Sequence, residues 1–402
     1  MLIWVLTTWV LSTVPVQAAN QEIRALFQPD PAQPSKNVFI NKTPNSGYCA
    51  SFPGECAQNQ VFSIQLPIRF SSTRALYQGE VVPIKVPANW RQLMVTNRET
   101  QQTEVVEVRI TGIGSKFVLS EPARELVGVS SDLEGHQKLW TSNSWVYAPA
   151  PCRYSGVGVF SATTYRFFWK TPLEASCIKR NAYPIPSIYF DTIDFAYELR
   201  TPDPLGMASG LYTGSLAYSL GSGGDFDLGP LMQPDDSSLT LDFVLDVQHT
   251  LKVDLPPGGN KVSLEPEGGW KPWIDSGRKP ARIYRDQAFY LSSSSRFRVM
   301  MMCDAPVGGK GCTLRSPSGD STEVEVLLTL PPGITGPAGG DVKALALRHY
   351  FWFGPFQPQQ YVDRKAGSLR FEIPRAAIDT LLRPGKNDRL TGNITIIWDS
   401  DV

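Results

Sequence analysis

Apolar and polar residues alternate from Leu239 to Val247, with Leu239, Leu241, Phe243, Leu245 and Val247 on one side and Thr240, Asp242 and Asp246 on the other. A period of two puts successive side chains on opposite faces of a β-strand, so this stretch predicts a strand with one buried face. The same period returns near the end of the chain, where Ile394, Ile396 and Trp398 alternate with Asn393, Thr395 and Ile397. An earlier stretch, Leu211 to Leu220, aligns with this one on Thr-Gly and sets Leu216 against Ile394 and Tyr218 against Ile396. The repeat predicts that each copy closes one all-β unit.

Between these stretches the apolar residues come in short bursts. Strands are predicted at 61–68, 80–86, 93–96, 104–110, 116–119, 144–147, 156–160, 165–169 and 187–199. A second series follows at 249–255, 281–284, 288–291, 297–302, 323–330, 345–353 and 369–373. Turn chemistry separates them, as at Pro87-Ala88-Asn89 and Gly112-Ile113-Gly114, and Gly and Pro number 33 each. One short helix is predicted from Arg375 to Leu382, with Ala377, Ile378, Leu381 and Leu382 on one face and Pro384-Gly385 ending it. The texture is all-β, that of a sandwich or barrel.

Met1 to Ala18 reads as a cleaved export signal, with an apolar core and the small-residue site Val16-Gln17-Ala18. The polar run Gln233 to Ser238 then divides the remainder into a first domain, residues 19–235, and a second, residues 236–402.

Lys plus Arg equals Asp plus Glu at 38 each, so no global field draws in nucleic acid or an anionic membrane. The six cysteines fall into the sequence-local pairs Cys49 with Cys56, Cys152 with Cys177, and Cys303 with Cys312. An even count in an exported chain favours disulfides, although sequence leaves other connectivities open. No pair has zinc spacing, and His136, His249 and His349 lie far from one another and from the cysteines, so no metal or other cofactor is expected. No serine sits in a nucleophile elbow, Gly221 to Gly224 lacks the Lys-Ser/Thr of a phosphate loop, and Asp225, Asp227, Asp235 and Asp236 lie in turn-like segments. An enzyme is not expected.

Aromatic residues mixed with polar ones mark the candidate receptor site in the first domain: Trp140, Asn143 and Trp145, with Arg153 and Tyr154 beside Cys152. An aromatic face stacks on the apolar side of a sugar ring while neighbouring donors hold its hydroxyls. The competing role for each tryptophan is core packing, which buries more area.

Taken together, the export signal, the cysteine-containing all-β first domain and the alternating strand after Thr391-Gly392 resemble a two-domain fimbrial subunit of the chaperone–usher system, of the tip-adhesin type. The resemblance implies two Ig-like, pilin-like β-sandwiches, the second an incomplete Ig fold completed by a donor strand. It implies as partners a periplasmic chaperone that lends a strand, an outer-membrane usher, and a neighbouring pilin subunit whose N-terminal extension replaces the lent strand. Ile394, Ile396 and Trp398 would border the acceptor groove, and the carboxylate of Val402 would anchor a chaperone's basic residues. The receptor implied for the first domain is a host or surface glycan.

Two departures stand out. Asp401 occupies the place where better-known pilins carry a tyrosine, and the alternation of Ile23, Ala25 and Phe27 stops at Pro29, which argues against strand donation and for a tip position. The alternatives are a structural minor pilin or adapter and a free-standing secreted carbohydrate-binding protein.

Overall fold

The computed structural model describes residues 19–400 except 155, 157, 308–310 and 384–388. The predicted export signal and Val402 therefore lie outside the described residues.

The first unit is built around one long strand. Its main strands are β1 (Ala19–Phe27), β2 (Arg91–Asn97), β3 (Thr103–Leu119), β4 (Thr164–Lys170), β5 (Ile193–Arg200), β6 (Gly210–Ser219) and β7 (Ser238–Val247). Along one edge β3 pairs first with β2 and then, from Gly112 onward, with β4; β5 runs along the other edge. Two strands with a turn at Gly112-Ile113-Gly114 were expected, and the chain instead runs straight through in 17 residues. The glycines serve the exchange of partners. A Cβ on Gly114 would meet the Phe167 carbonyl oxygen at 2.5 Å, and one on Gly112 would meet the Phe168 ring at 2.7 Å.

β7 lies between β6, antiparallel to it, and β1, parallel to it in the register Ala19↔Leu239 to Phe27↔Val247. Its alternation is that of a strand with one face in the core, and Leu239, Leu241, Phe243, Leu245 and Val247 share that core with Ile23, Ala25 and Phe27. The expected boundary after residue 235 therefore falls too early: the two cores divide between Val247 and Leu251. The polar run misled because it closes a short strand, Met232–Pro234, and leads directly into β7, all inside the first unit.

The second unit is a sandwich. One sheet runs β8 (Leu251–Asp254), β9 (Ile283–Ser293), β14 (Val362–Ile373), β12 (Ser321–Thr329) and β11 (Gly311–Arg315), in that spatial order. The facing sheet places β10 (Phe297–Cys303) between β13 (Trp352–Pro358) and β15 (Ile394–Ser400). Phe289, Val326, Leu328 and Leu369 from the first sheet meet Phe297, Val299, Met301 and Phe356 from the second. Sheets packed this way bury the inward half of each alternating strand. The predicted helix is present as Arg375–Leu381, with Ile378 buried.

Disulfides join Cys49 to Cys56, Cys152 to Cys177, and Cys303 to Cys312. At the junction of the units, His249 Nε2 donates to the Met207 carbonyl at 2.9 Å while its Nδ1 lies 3.1 Å from the Ser294 hydroxyl. Among the described residues no helix is long and apolar enough to cross a membrane.

Candidate functional site

The edge of the second unit carries the candidate site. β15 pairs with β10 along its whole length, from Ile394↔Cys303 to Ser400↔Phe297. Its other edge has no strand partner among the described residues. Across the sandwich, β8 ends the opposite sheet and, among the described residues, pairs only with β9. The two sheets thus part between β8 and β15, leaving a cavity of about 440 Å³.

Its lining follows from the alternation. Ile394, Ile396 and Trp398 point inward from β15, while Val253, Phe289 and Phe371 form part of the opposite wall. Trp398 meets two buried aromatics, its ring centroid 5.0 Å from Phe289 and 5.8 Å from Phe297. Yet Ile394, Ile396, Trp398, Val253 and Phe371 are only half-buried, whereas Phe289 and Phe297 are fully buried. A row of half-covered apolar side chains beside an unpaired backbone edge has the chemistry of a strand acceptor: the edge offers amide and carbonyl groups, and the row offers pockets for alternate side chains. The wall residues on β8, β9 and β14 escaped sequence reasoning. Their strands were anticipated, but nothing in their own pattern tells which residues face a gap.

The candidate receptor residues divide. Trp140 and Trp145 are 2% and 0% exposed. Trp145 stacks on Trp169 at 5.2 Å between centroids, meets Trp140 edge-on at 5.1 Å, and its carbonyl accepts a hydrogen bond from Trp169 Nε1. Both indoles belong to the first core, and residues 144–147 form no strand there. Their assignment to a receptor site is corrected: neither ring has a free face to offer a sugar. Asn143, Arg153 and Tyr154 are exposed. Arg153–Tyr154 pairs with the end of β4, next to the Cys152–Cys177 bridge.

The loop carrying Asn143 is held from below by Lys179. Although this side chain is fully buried, its Nζ donates to the carbonyls of Ser142, Asn143 and Ser144 at 3.2, 3.2 and 3.0 Å. Burial lowers its pKa to about 8. Above that pH the folded chain has released a proton that the unfolded chain still holds up to the ordinary lysine value of about 10.4, so this group adds stability as pH rises through the window. Denaturation of wild type and Lys179→Met between pH 8 and 10 checks this: the wild type is expected to gain stability relative to the variant as pH rises.

Among the described residues no group of three or more His, Cys, Asp or Glu gathers as a metal site. The sequence matches no protein-family model and no curated protein. Solved structures do match. CfaE, the adhesive subunit of CFA/I fimbria of enterotoxigenic Escherichia coli, is 8% identical, with 96% of this chain and 95% of that chain covered and a TM-score of 0.26. A chaperone–tip adhesin complex of CFA/I fimbriae biogenesis is 10% identical, with coverage of 96% and 97% and a TM-score of 0.27. The CsuC–CsuE chaperone–tip adhesion subunit pre-assembly complex, from archaic chaperone-usher Csu pili of Acinetobacter baumannii, is 8% identical, with coverage of 95% and 98% and a TM-score of 0.23. All three come from fimbrial adhesion systems.

Proposed function

We propose that this chain is an exported, non-enzymatic fimbrial tip adhesin whose second unit accepts a donor strand and whose first unit carries the receptor surface. The observation that carries this reading is the unpaired edge of β15 beside the half-covered row Ile394, Ile396 and Trp398. A strand laid along that edge gains backbone hydrogen bonds and covers the row at once. In this reading a periplasmic chaperone supplies the first strand, with Val402 as its anchor, and a neighbouring subunit supplies the second at the usher.

The tip position is supported by β1. Ile23, Ala25 and Phe27 are buried in the first core and β1 is paired along its length with β7, so this alternating segment is already used within its own unit. A shaft subunit needs such a segment free to donate. The receptor surface is placed on the exposed part of the first unit, with Asn143, Arg153 and Tyr154 as its proposed contacts and a glycan as its ligand.

The test is capture of a synthetic peptide of alternating apolar residues by the purified chain. Saturable binding that depends on the alternation supports the acceptor. Equal binding of a peptide with the same composition in scrambled order contradicts it.

A further inference from the structure

The start of β1 carries a contact that the groove does not explain. The backbone nitrogen of Ala19 donates to Asp236 Oδ2 at 2.7 Å, and Asp236 Oδ1 accepts from the Ser238 amide at 3.1 Å. Both residues are half-buried, and among the described residues no lysine or arginine forms an ion pair with Asp236. The ladder between β1 and β7 opens at the same place, with Ala19 opposite Leu239. Ala19 is also the residue that follows the small-residue site Val16-Gln17-Ala18.

We propose that Asp236 is the receptor for the new amino terminus made when the export signal is removed after Ala18, and that this ion pair locks β1 into the first sheet. Hydrolysis breaks the Ala18–Ala19 amide bond: water supplies hydroxyl to the Ala18 carbonyl carbon and hydrogen to the Ala19 nitrogen. The resulting primary amine takes a further proton at neutral pH. An amide at this position offers Asp236 one neutral donor, whereas an ammonium offers three donors and a full charge, and charge-assisted bonds are the shorter and stronger kind, about 2.7–2.9 Å for nitrogen to carboxylate oxygen. Ion pairing at this end holds in place the strand that lays Ile23, Ala25 and Phe27 into the core. Processing and completion of the first sheet are thereby one event.

The experiment uses the full chain exported to the periplasm. Its amino-terminal residue, read by sequencing or intact mass, is expected to be Ala19; any other start overturns the proposal. The α-amino group is then titrated by NMR after isotopic methylation. The expected value lies a unit or more above the ordinary range of about 7.7–8.0 for a free α-amine, and an ordinary value overturns the proposal without need of any variant. Finally, unfolding is compared for wild type and Asp236→Asn, each with a free and an α-acetylated terminus. Acetylation is expected to lower the midpoint of the wild type and leave that of Asp236→Asn unchanged. Equal losses in both backgrounds mean that the carboxylate and the amine act independently, which contradicts the pairing.

Discussion

Trp145→Ala is expected to destabilise the first unit by about 3–5 kcal/mol, the range for removing a large aromatic from a packed core. Trp145 is fully buried, lies 5.5 Å from Phe117 and 4.7 Å from Phe167 between ring centroids, and its stacking partner Trp169 donates to its carbonyl. Its loss leaves a cavity that these rings cannot close without leaving their own contacts. For a unit of this size the midpoint is expected to fall by roughly 6–20 °C, at about 2–4 °C per kcal/mol. Tyr154→Ala makes the contrast. Tyr154 is 57% exposed, and its removal is expected to change stability by no more than about 0.5 kcal/mol. Thermal unfolding of the two variants separates them, and any receptor binding lost by Tyr154→Ala without loss of stability belongs to the surface and not to the fold.

In the second unit, Ile396→Asp is expected to abolish capture of the alternating peptide while Thr395→Asp leaves it nearly intact. Ile396 is half-buried on the groove side of β15 and Thr395 is exposed on the outward side. An aspartate at Ile396 removes an apolar contact worth about 1.5–3 kcal/mol when fully covered and forces an incoming strand to desolvate a carboxylate. Together these amount to a loss in affinity of at least about a hundredfold, at 1.4 kcal/mol per factor of ten. A titration with each variant reads the difference. Equal loss in both places the peptide somewhere other than the groove.

Strand β15 was legible because period-two alternation is a local property: Ile394, Ile396 and Trp398 announce a strand with one apolar face from their order alone. The gap beside them was legible only through resemblance, since which edge lacks a partner depends on where β8 and β15 end up relative to one another. The strongest alternation in the chain, Leu239 to Val247, was read correctly as a strand and placed in the wrong unit. Its two neighbours are β6, which precedes it across the long connection 220–237, and β1, from the far end of the chain in a parallel register that no local pattern encodes.

The repeat misled for the same reason. β6 is flanked by β2 and β7 while β15 has one strand neighbour among the described residues, although the two sequences alternate alike. Gly112 and Gly114 carry turn chemistry, yet they serve close passage of a neighbouring strand, which sequence cannot tell from a bend. Trp140 and Trp145 show the limit for sites. A polar segment between two tryptophans has the composition of a binding loop, and only packing reveals that the rings turn inward and leave Thr141, Ser142 and Asn143 outside.

The most direct test of the acceptor groove is the unfolding midpoint of the second unit in the full exported chain, with and without a donor strand of alternating apolar residues fused through a short linker after Val402. A strand that settles along β15 covers the half-buried row and pairs the free edge. The net gain expected, after ordering the strand, is about 3–5 kcal/mol, or a rise of roughly 6–20 °C. A control fusion with the alternation shifted by one residue should give little or none of this, because the shift turns the apolar set away from the groove. If the matched fusion leaves the midpoint where it was, or the shifted fusion raises it equally, the groove accepts no strand and the proposed place of this chain in a fimbria is wrong.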